Sequence, residues 1–262
     1  MPAPVSRRDA LKVAAVTGLL QLPGGEAQAA VKAGWVVGKM TGARALVEAL
    51  QAEGTTCVFG IPGAQENELW DEMKARHLPY LLVTHEFSAS CMADGAARAT
   101  GRPGVLCIVP GPGITNALTG LGEALLDSVP VVCIAGDVAR GEKYRSFQVH
   151  ELPNVALLKP VSKCVLEVKQ VCQIPNAVRK AFQIAMSGEP GPVSVVIPYN
   201  LMIETWHYED GPLAAPAYPL DEQACQHALA ILSNRRLRVG IYAGMGCMDH
   251  GAALTQAAEM LQ

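Results

Sequence analysis

Residues 84–136 read THEFSASCMADGAARATGRPGVLCIVPGPGITNALTGLGEALLDSVPVVCIAG. FSASCMADGAARATG has the composition of a helix that stops at Gly101, and VLCIVP is a short apolar strand. PGPG makes a loop, TNALTGLGEALLDS a second helix, and PVVCIAG a second strand. The strands are continuously apolar, so both of their faces are buried, and the helices between them run ten to fifteen residues. That pattern predicts a parallel sheet with helices on both faces, an α/β fold. It extends upstream as a helix in TGARALVEALQAEG, with Thr41 as N-cap and Gly54 at its end. TCVFG (strand), IPGAQ (turn), NELWDEMKARH (amphipathic helix) and YLLVT (strand) follow. Downstream, residues 137–160 read as irregular, VCQIPNAVRKAFQIAMSG as a helix and VSVVIP as a strand, and the unit closes near residue 210. GPLAAPAYPL is a linker by its proline content. Beyond it EQACQHALAILSNRR reads as a helix, RVGIYAG as a strand and DHGAALTQAAEMLQ as a helix. These readings predict a domain over 38–210 and the incomplete beginning of a second α/β domain over 217–262.

The composition supports a globular chain. Half of the 262 residues are apolar and 17% are charged, against roughly a quarter charged in ordinary soluble proteins. Disorder is excluded on that balance. With 21 basic and 24 acidic side chains the net charge is -3, so there is no electrostatic footprint for nucleic acid or an anionic membrane. No run approaches about 18 apolar residues, and no transmembrane span is expected. Eight cysteines are present, but without a C-x-x-C pair or zinc spacing, and Cys57, Cys107 and Cys133 sit within apolar strands. Free thiols are expected. At the N-terminus, Arg7-Arg8, the apolar run VAAVTGLLQL and Ala27-Gln28-Ala29 occur in the order of an export signal over residues 1–29, similar to the twin-arginine class. A periplasmic location is expected from it; a cytosolic chain with an alanine-rich N-terminus is the alternative.

In an open parallel sheet, ligands bind at the carboxyl ends of the strands. Three loops lie there: Ile61-Pro62-Gly63-Ala64, His85-Glu86, and Gly111-Pro112-Gly113-Ile114-Thr115-Asn116. Glu86 opens a helix and shares a face with Ala89, Ala93 and Ala97, small residues that pack closely and leave little room for water. A carboxyl group there is expected to be desolvated, with its proton available near neutral pH. The alternative is a first-turn glutamate that only complements the helix dipole. A generic nucleotide-binding domain is disfavoured, since no G-x-G-x-x-G follows a strand.

Taken as a set, FGIPGA, THEFSASCMADGAARATGRPGV, PGPGITNALTGLGEALLDSVPVV, SFQVHELPNVALLKPVSK and SGEPGPVSVVIP resemble the thiamine-diphosphate-dependent enzymes of the acetolactate synthase type, from residue 41 to about 205. The resemblance implies the family's pyrimidine-binding domain. In it Glu86 would hydrogen-bond N1′ of the cofactor's aminopyrimidine and so promote loss of the C2 proton of the thiazolium. Pro62 and Gly63 match the loop against the pyrimidine ring, and Asn116 a residue near the site. Gln148 matches a glutamine on the substrate side, and Lys163 a lysine on the following strand. A 2-oxo acid is the implied substrate, in carboligation or decarboxylation. The chain departs from the pattern at Phe87, where HEQ is usual, and at Glu189, where SGRPGP carries an arginine that contacts flavin. A carboxylate in that place argues against FAD. The family's diphosphate site, G-D-G followed about thirty residues later by asparagine, does not occur: Asp94-Gly95 and Asp210-Gly211 lack the first glycine. Mg²⁺ would therefore be held by a domain absent from this sequence. The implied partner is a homo-oligomer or a chain supplying that domain. The rival expectation is a non-catalytic remnant or assembly partner that keeps the fold.

Overall fold

Val105 and Cys107 face one way from their strand while Leu106 and Ile108 face the other, and all four are buried. That two-sided burial organises the molecule, which we describe from a computed structural model over residues 35–145, 147–216, 221–234 and 236–261. The chain divides into two units, Val31–Pro216 and a second to which residues 217–262 belong. In chain order the first contains β1 (Gly38–Thr41), α1 (Gly42–Ala52), β2 (Val58–Gly60), α2 (Asn67–Ala75), β3 (Tyr80–Leu82), α3 (Glu86–Thr100), β4 (Gly104–Ile108) and α4 (Pro112–Leu126). These are followed by β5 (Val131–Asp137), α5 (Asn154–Leu158), β6 (Cys164–Glu167), α6 (Ile174–Met186), β7 (Val193–Pro198), α7 (Tyr199–Ile203) and β8 (Thr205–Tyr208).

Six strands form one parallel sheet in the order β3-β2-β4-β5-β7-β6. On one face α1, α2 and α6 cover Val105, Cys107, Val132, Ile134, Val195 and Ile197. On the other α3, α4 and α5 cover Leu106, Ile108, Val131, Cys133, Ala135 and Val196. Period-two alternation thus divides each apolar strand between two cores. The fold is α/β with helices on both faces, as the alternation of strands and helices predicts.

Local chemistry sets the helix ends. Thr41 Oγ1 accepts from the Arg44 amide at the start of α1. His85 Nδ1 accepts from the Phe87 amide (3.1 Å) at the start of α3, and Gly101 ends that helix in the left-handed region at φ 66°. Helix α3 lies directly on the sheet. A Cβ on Gly104 would stand 1.9 Å from the Ala93 carbonyl oxygen, and one on Gly120 would stand 2.1 Å from Ser90 Oγ on the α3–α4 contact.

Several elements differ from the sequence-based expectation. Helix α4 starts at Pro112 rather than at Thr115, because proline at the first helical position has the right φ and lacks only an N–H that would be unpaired there. Strand β6 (CVLE), half-buried at the sheet edge, follows Lys163 directly, where the family resemblance placed a strand and the apolar pattern named none. Strands β1 and β8 pair antiparallel, Gly38 opposite Tyr208 and Thr41 opposite Thr205, outside the main sheet. RVGIYAG is not a strand: residues 238–244 have no regular structure. A lone apolar stretch has no ladder to join, and the second unit supplies no strand among its described residues. The second unit otherwise holds α8 (Glu222–Leu232), capped by Asp221 Oδ1 on the Ala224 amide, and α9 (Gly251–Leu261). The eight cysteines are all unpaired, and burial pushes the Cys133 thiol up to about 12. No helix among the described residues is long and apolar enough to cross a membrane. The export-signal reading of 1–29 lies outside the described residues.

Candidate active site

Strand β2 lies between β3 and β4, so the chain leaves β2 toward one edge and leaves β4 toward the other. The crevice at the carboxyl ends of two such strands is where open α/β sheets bind ligands. Three chain segments meet there: the loop after β2 with Pro62 and Gly63, the start of α3 with Glu86, and the Val109–Pro112 turn into α4.

Glu86 is 9% exposed, in line with the fully buried Ala89 and Ala93. Its Oε2 accepts from Asn116 Nδ2 at 3.0 Å, across thirty residues of sequence. Its Oε1 lies 3.6 Å from where a Cβ on Gly113 would stand. The same two loops close on Val109. A Cβ on Gly63 would come within 2.1 Å of Val109 Cγ1, and one on Gly113 within 2.5 Å of Cγ2. Both glycines are therefore there for clearance, and the wall beside Glu86 is bare backbone and one valine.

Behind this wall lies a polar network that the sequence reading missed. Gly111, at φ 64°, donates its amide to Asn154 Oδ1 (3.2 Å), and Asn154 Nδ2 donates to Asp137 Oδ1 (2.8 Å) at the end of β5. Arg140 grips Asp137 through Nε and Nη2 and reaches Glu151 through Nη1 (2.7 Å). Glu151 in turn accepts from the Gln148 amide. Asp137 and Asn154 are buried; a polar residue closing a buried strand was the available signal.

Glu66, also missed, is wholly buried beneath the crevice. Neither of its oxygens, nor Trp70 Nε1, meets a partner in good hydrogen-bond geometry, although the Gly136 amide and the Trp70 indole lie beside the carboxyl. Burial pushes this carboxyl well above the usual range; the nearby Gly136 amide and Trp70 indole offset part of the rise and Glu86 adds to it.

The structure brings Pro62, Gly63, Glu86 and Asn116 to one crevice. Gln148 lies in the loop after β5, at the same end of the sheet, tied to the β2 loop by Gln65 Nε2 on the Val149 carbonyl (3.3 Å). Its side-chain amide is spent on the Ala139 carbonyl (2.7 Å). Lys163 is not brought to the crevice. It precedes β6 at the opposite, amino end of the strands, where its amide bonds the Pro192 carbonyl. Its ammonium binds the carbonyls of Ile184, Ser187 and Glu189 just past α6, so it caps a helix. Glu189 accepts from Ser128 Oγ (2.7 Å) in that region. No cluster of three or more His, Cys, Asp or Glu among the described residues could hold a metal ion.

Comparison with known proteins adds the chemistry. Residues 40–157 match the family model "Thiamine pyrophosphate enzyme, N-terminal TPP binding domain". The chain is 36% identical over 204 residues to an acetolactate synthase of Bacillus subtilis, covering 77% of this chain and 35% of the relative. It is 36% identical over 230 residues to chloroplastic acetolactate synthase 2 of Nicotiana tabacum, covering 84% and 34%. To the large subunit of acetolactate synthase isozyme 3 of Escherichia coli it is 41% identical over 165 residues, covering 62% and 28%. These matched segments span about a third of the length of those relatives.

Proposed function

Since this chain belongs, through residues 40–157, to the N-terminal TPP-binding domains of the acetolactate synthase type, we propose that it holds the aminopyrimidine of thiamine diphosphate at Glu86 and acts on 2-oxo acids. The observation that carries the proposal is Glu86 itself: a carboxyl group buried at the switch point of the sheet, with one oxygen oriented by Asn116 and the other directed toward a glycine. The fit to the cofactor rests on that acid and on the clearance left by Gly63 and Gly113, which lets a flat ring approach backbone.

When bound, the cofactor supplies the thiazolium carbon that adds to the 2-oxo group. Glu86 Oε1 holds or takes a proton at a ring nitrogen of the pyrimidine. Asn116 Nδ2–H keeps Oε2 occupied, so that Oε1 is the oxygen that exchanges the proton. Gly63, Gly113 and Val109 wall the crevice beside the buried carboxyl, and that burial strengthens the hydrogen bond. Asn154 and Asp137 pin the Gly111 turn and thereby the first turn of α4, which carries Asn116. The diphosphate and Mg²⁺ are assigned to a diphosphate-binding domain outside these 262 residues, so the working site is shared between domains or subunits. We assign no FAD, on the charge of Glu189, and we place the protein in the periplasm, on Arg7-Arg8 and Ala27-Gln28-Ala29; sequencing the N-terminus of the protein recovered from cells tests that location, and an intact Met1 in the cytosol refutes it.

Saturation-transfer NMR with thiamine diphosphate and the full chain tests the site. Saturation should reach the pyrimidine protons in preference to those beside the diphosphate, and should fall in Glu86→Gln and Asn116→Ala. Equal transfer to both ends of the molecule, or none lost in Glu86→Gln, refutes the assignment.

A further inference from the structure

Glu66 occupies the residue before the first turn of α2, where an acidic side chain normally accepts from the exposed backbone amides. It makes no such bond. The side chain instead enters the sheet, where its Oε1 would lie 2.5 Å from a Cβ on Gly136 in β5. Gly60 in β2, whose Cβ would first meet the Cys107 carbonyl oxygen at 2.0 Å, also leaves room for Trp70, whose Cζ2 would stand 3.0 Å from it. Two strands thus carry glycine where a buried acid and its neighbouring indole need the space. The acid is fully buried, and neither of its oxygens makes a well-aligned hydrogen bond, with only the Gly136 amide and the Trp70 indole beside it. A carboxyl that forgoes a cap for a buried place without one well-formed hydrogen bond calls for an explanation other than packing.

The titratable groups that face it are all acids: Glu86 from α3, Cys107 from β4 and Cys133 from β5. No cation pairs with it among the described residues. An ionised carboxylate in that setting is a buried charge with nothing to compensate it. Two acids whose charges interact, in unequal surroundings, divide their roles. Glu86 has the Asn116 amide as a well-formed donor at 3.0 Å; Glu66 has only the Gly136 amide and the Trp70 indole nearby, neither in good hydrogen-bond geometry.

We propose that Glu66 is a positioning residue for Glu86, a second acid that keeps its proton at the floor of the crevice so that Glu86 alone of the two exchanges a proton with what binds there. The inference rests on the reading of Glu86 as the pyrimidine-facing acid, and it deepens that reading by adding the group that restricts the crevice to one working carboxyl.

Carbon-13 NMR of the full chain, labelled at the glutamate side-chain carboxyls and free of cofactor, tests it across a pH titration. Glu66→Gln identifies the Glu66 signal by its loss, and Glu66→Met serves if the amide does not fold. The Glu66 signal should be that of a protonated acid at pH 7. Its midpoint should move down in Glu86→Gln, since the neighbouring charge that helps to retain the proton has been removed. An ionised Glu66 at pH 7 overturns the proposal. So does a midpoint unmoved by Glu86→Gln, the result a merely structural buried acid gives. Because no cofactor is present, this outcome is independent of whether thiamine diphosphate binds, which the saturation-transfer experiment reads separately.

Discussion

Gly63→Ala puts the clearance at the crevice to a quantitative test. The new Cβ would lie 2.1 Å from Val109 Cγ1 and 3.3 Å from its Cβ, whereas carbon atoms rest at about 3.5–4.0 Å. More than an ångström of displacement must be found. Val109 is 8% exposed and stiff at χ1, and its other methyl already faces Gly113 at 2.5 Å from a notional Cβ, so it has no free direction in which to turn. Overpacking of this kind costs about 1–3 kcal/mol. Gly63 has no positive φ, so backbone strain adds nothing, and the loss of chain entropy in the unfolded state returns roughly 0.4–1 kcal/mol. The net loss should be about 1–2 kcal/mol. Val109→Ala removes two methyl groups, about 1.6 kcal/mol at 0.8 per carbon. If the two residues contend for one space, the double variant should lose no more than Val109→Ala alone, and the coupling should exceed about 1 kcal/mol. Urea unfolding of the four proteins measures this. Additivity within about 0.5 kcal/mol would falsify the claim that Gly63 is there to clear Val109, and with it the account of the crevice wall.

Asn154→Ala leaves the Gly111 amide and Asp137 Oδ1 short of a buried partner and should cost about 1–3 kcal/mol; hydrogen exchange should rise selectively over residues 111–116, and uniform protection there would remove Asn154 from the network. Lys163→Met should lose about 1 kcal/mol, through the uncapped end of α6, and leave saturation transfer to the pyrimidine unchanged; a loss of transfer would restore Lys163 to the site. Glu66 adds a pH dependence. Its folded value lies above its ordinary 4.5, so the unfolded chain releases this proton first, and the group's contribution falls as pH rises from about 4.5 toward the folded value, by at most about 1.4 kcal/mol per pH unit. Glu66→Gln should therefore gain stability relative to wild type as pH rises from about 5 to 7, and parallel stability–pH curves would contradict this.

Which parts of the molecule could be read from sequence follows from where each residue's environment is decided. Strands β4, β5 and β7 are buried on both faces, so their burial is written as continuous apolar runs, and their helices follow from spacing and caps such as Thr41 and Gly101. Strand β6 is a short edge strand that only the resemblance indicated, beside Lys163, and β1 pairs with β8 far along the chain, so neither was legible in the apolar pattern. RVGIYAG shows the converse, since apolar composition alone cannot make a strand without neighbours. The crevice divides in the same way. Glu86 was marked by the alanines on its own helix face, and Asn116 by a motif. Glu66 sits in AQENEL, which reads as an ordinary exposed turn, and only Gly136, seventy residues later, turns it into a buried acid. Val109 likewise becomes a wall only because Gly63 and Gly113 close on it from two loops. The carboxyl proposed to face the pyrimidine is therefore a local feature of one helix, whereas its surroundings are clearances between distant segments. A chain that kept every motif but filled Gly136 or Gly63 would still be recognised as the same family, and would have lost the room in which the acid works.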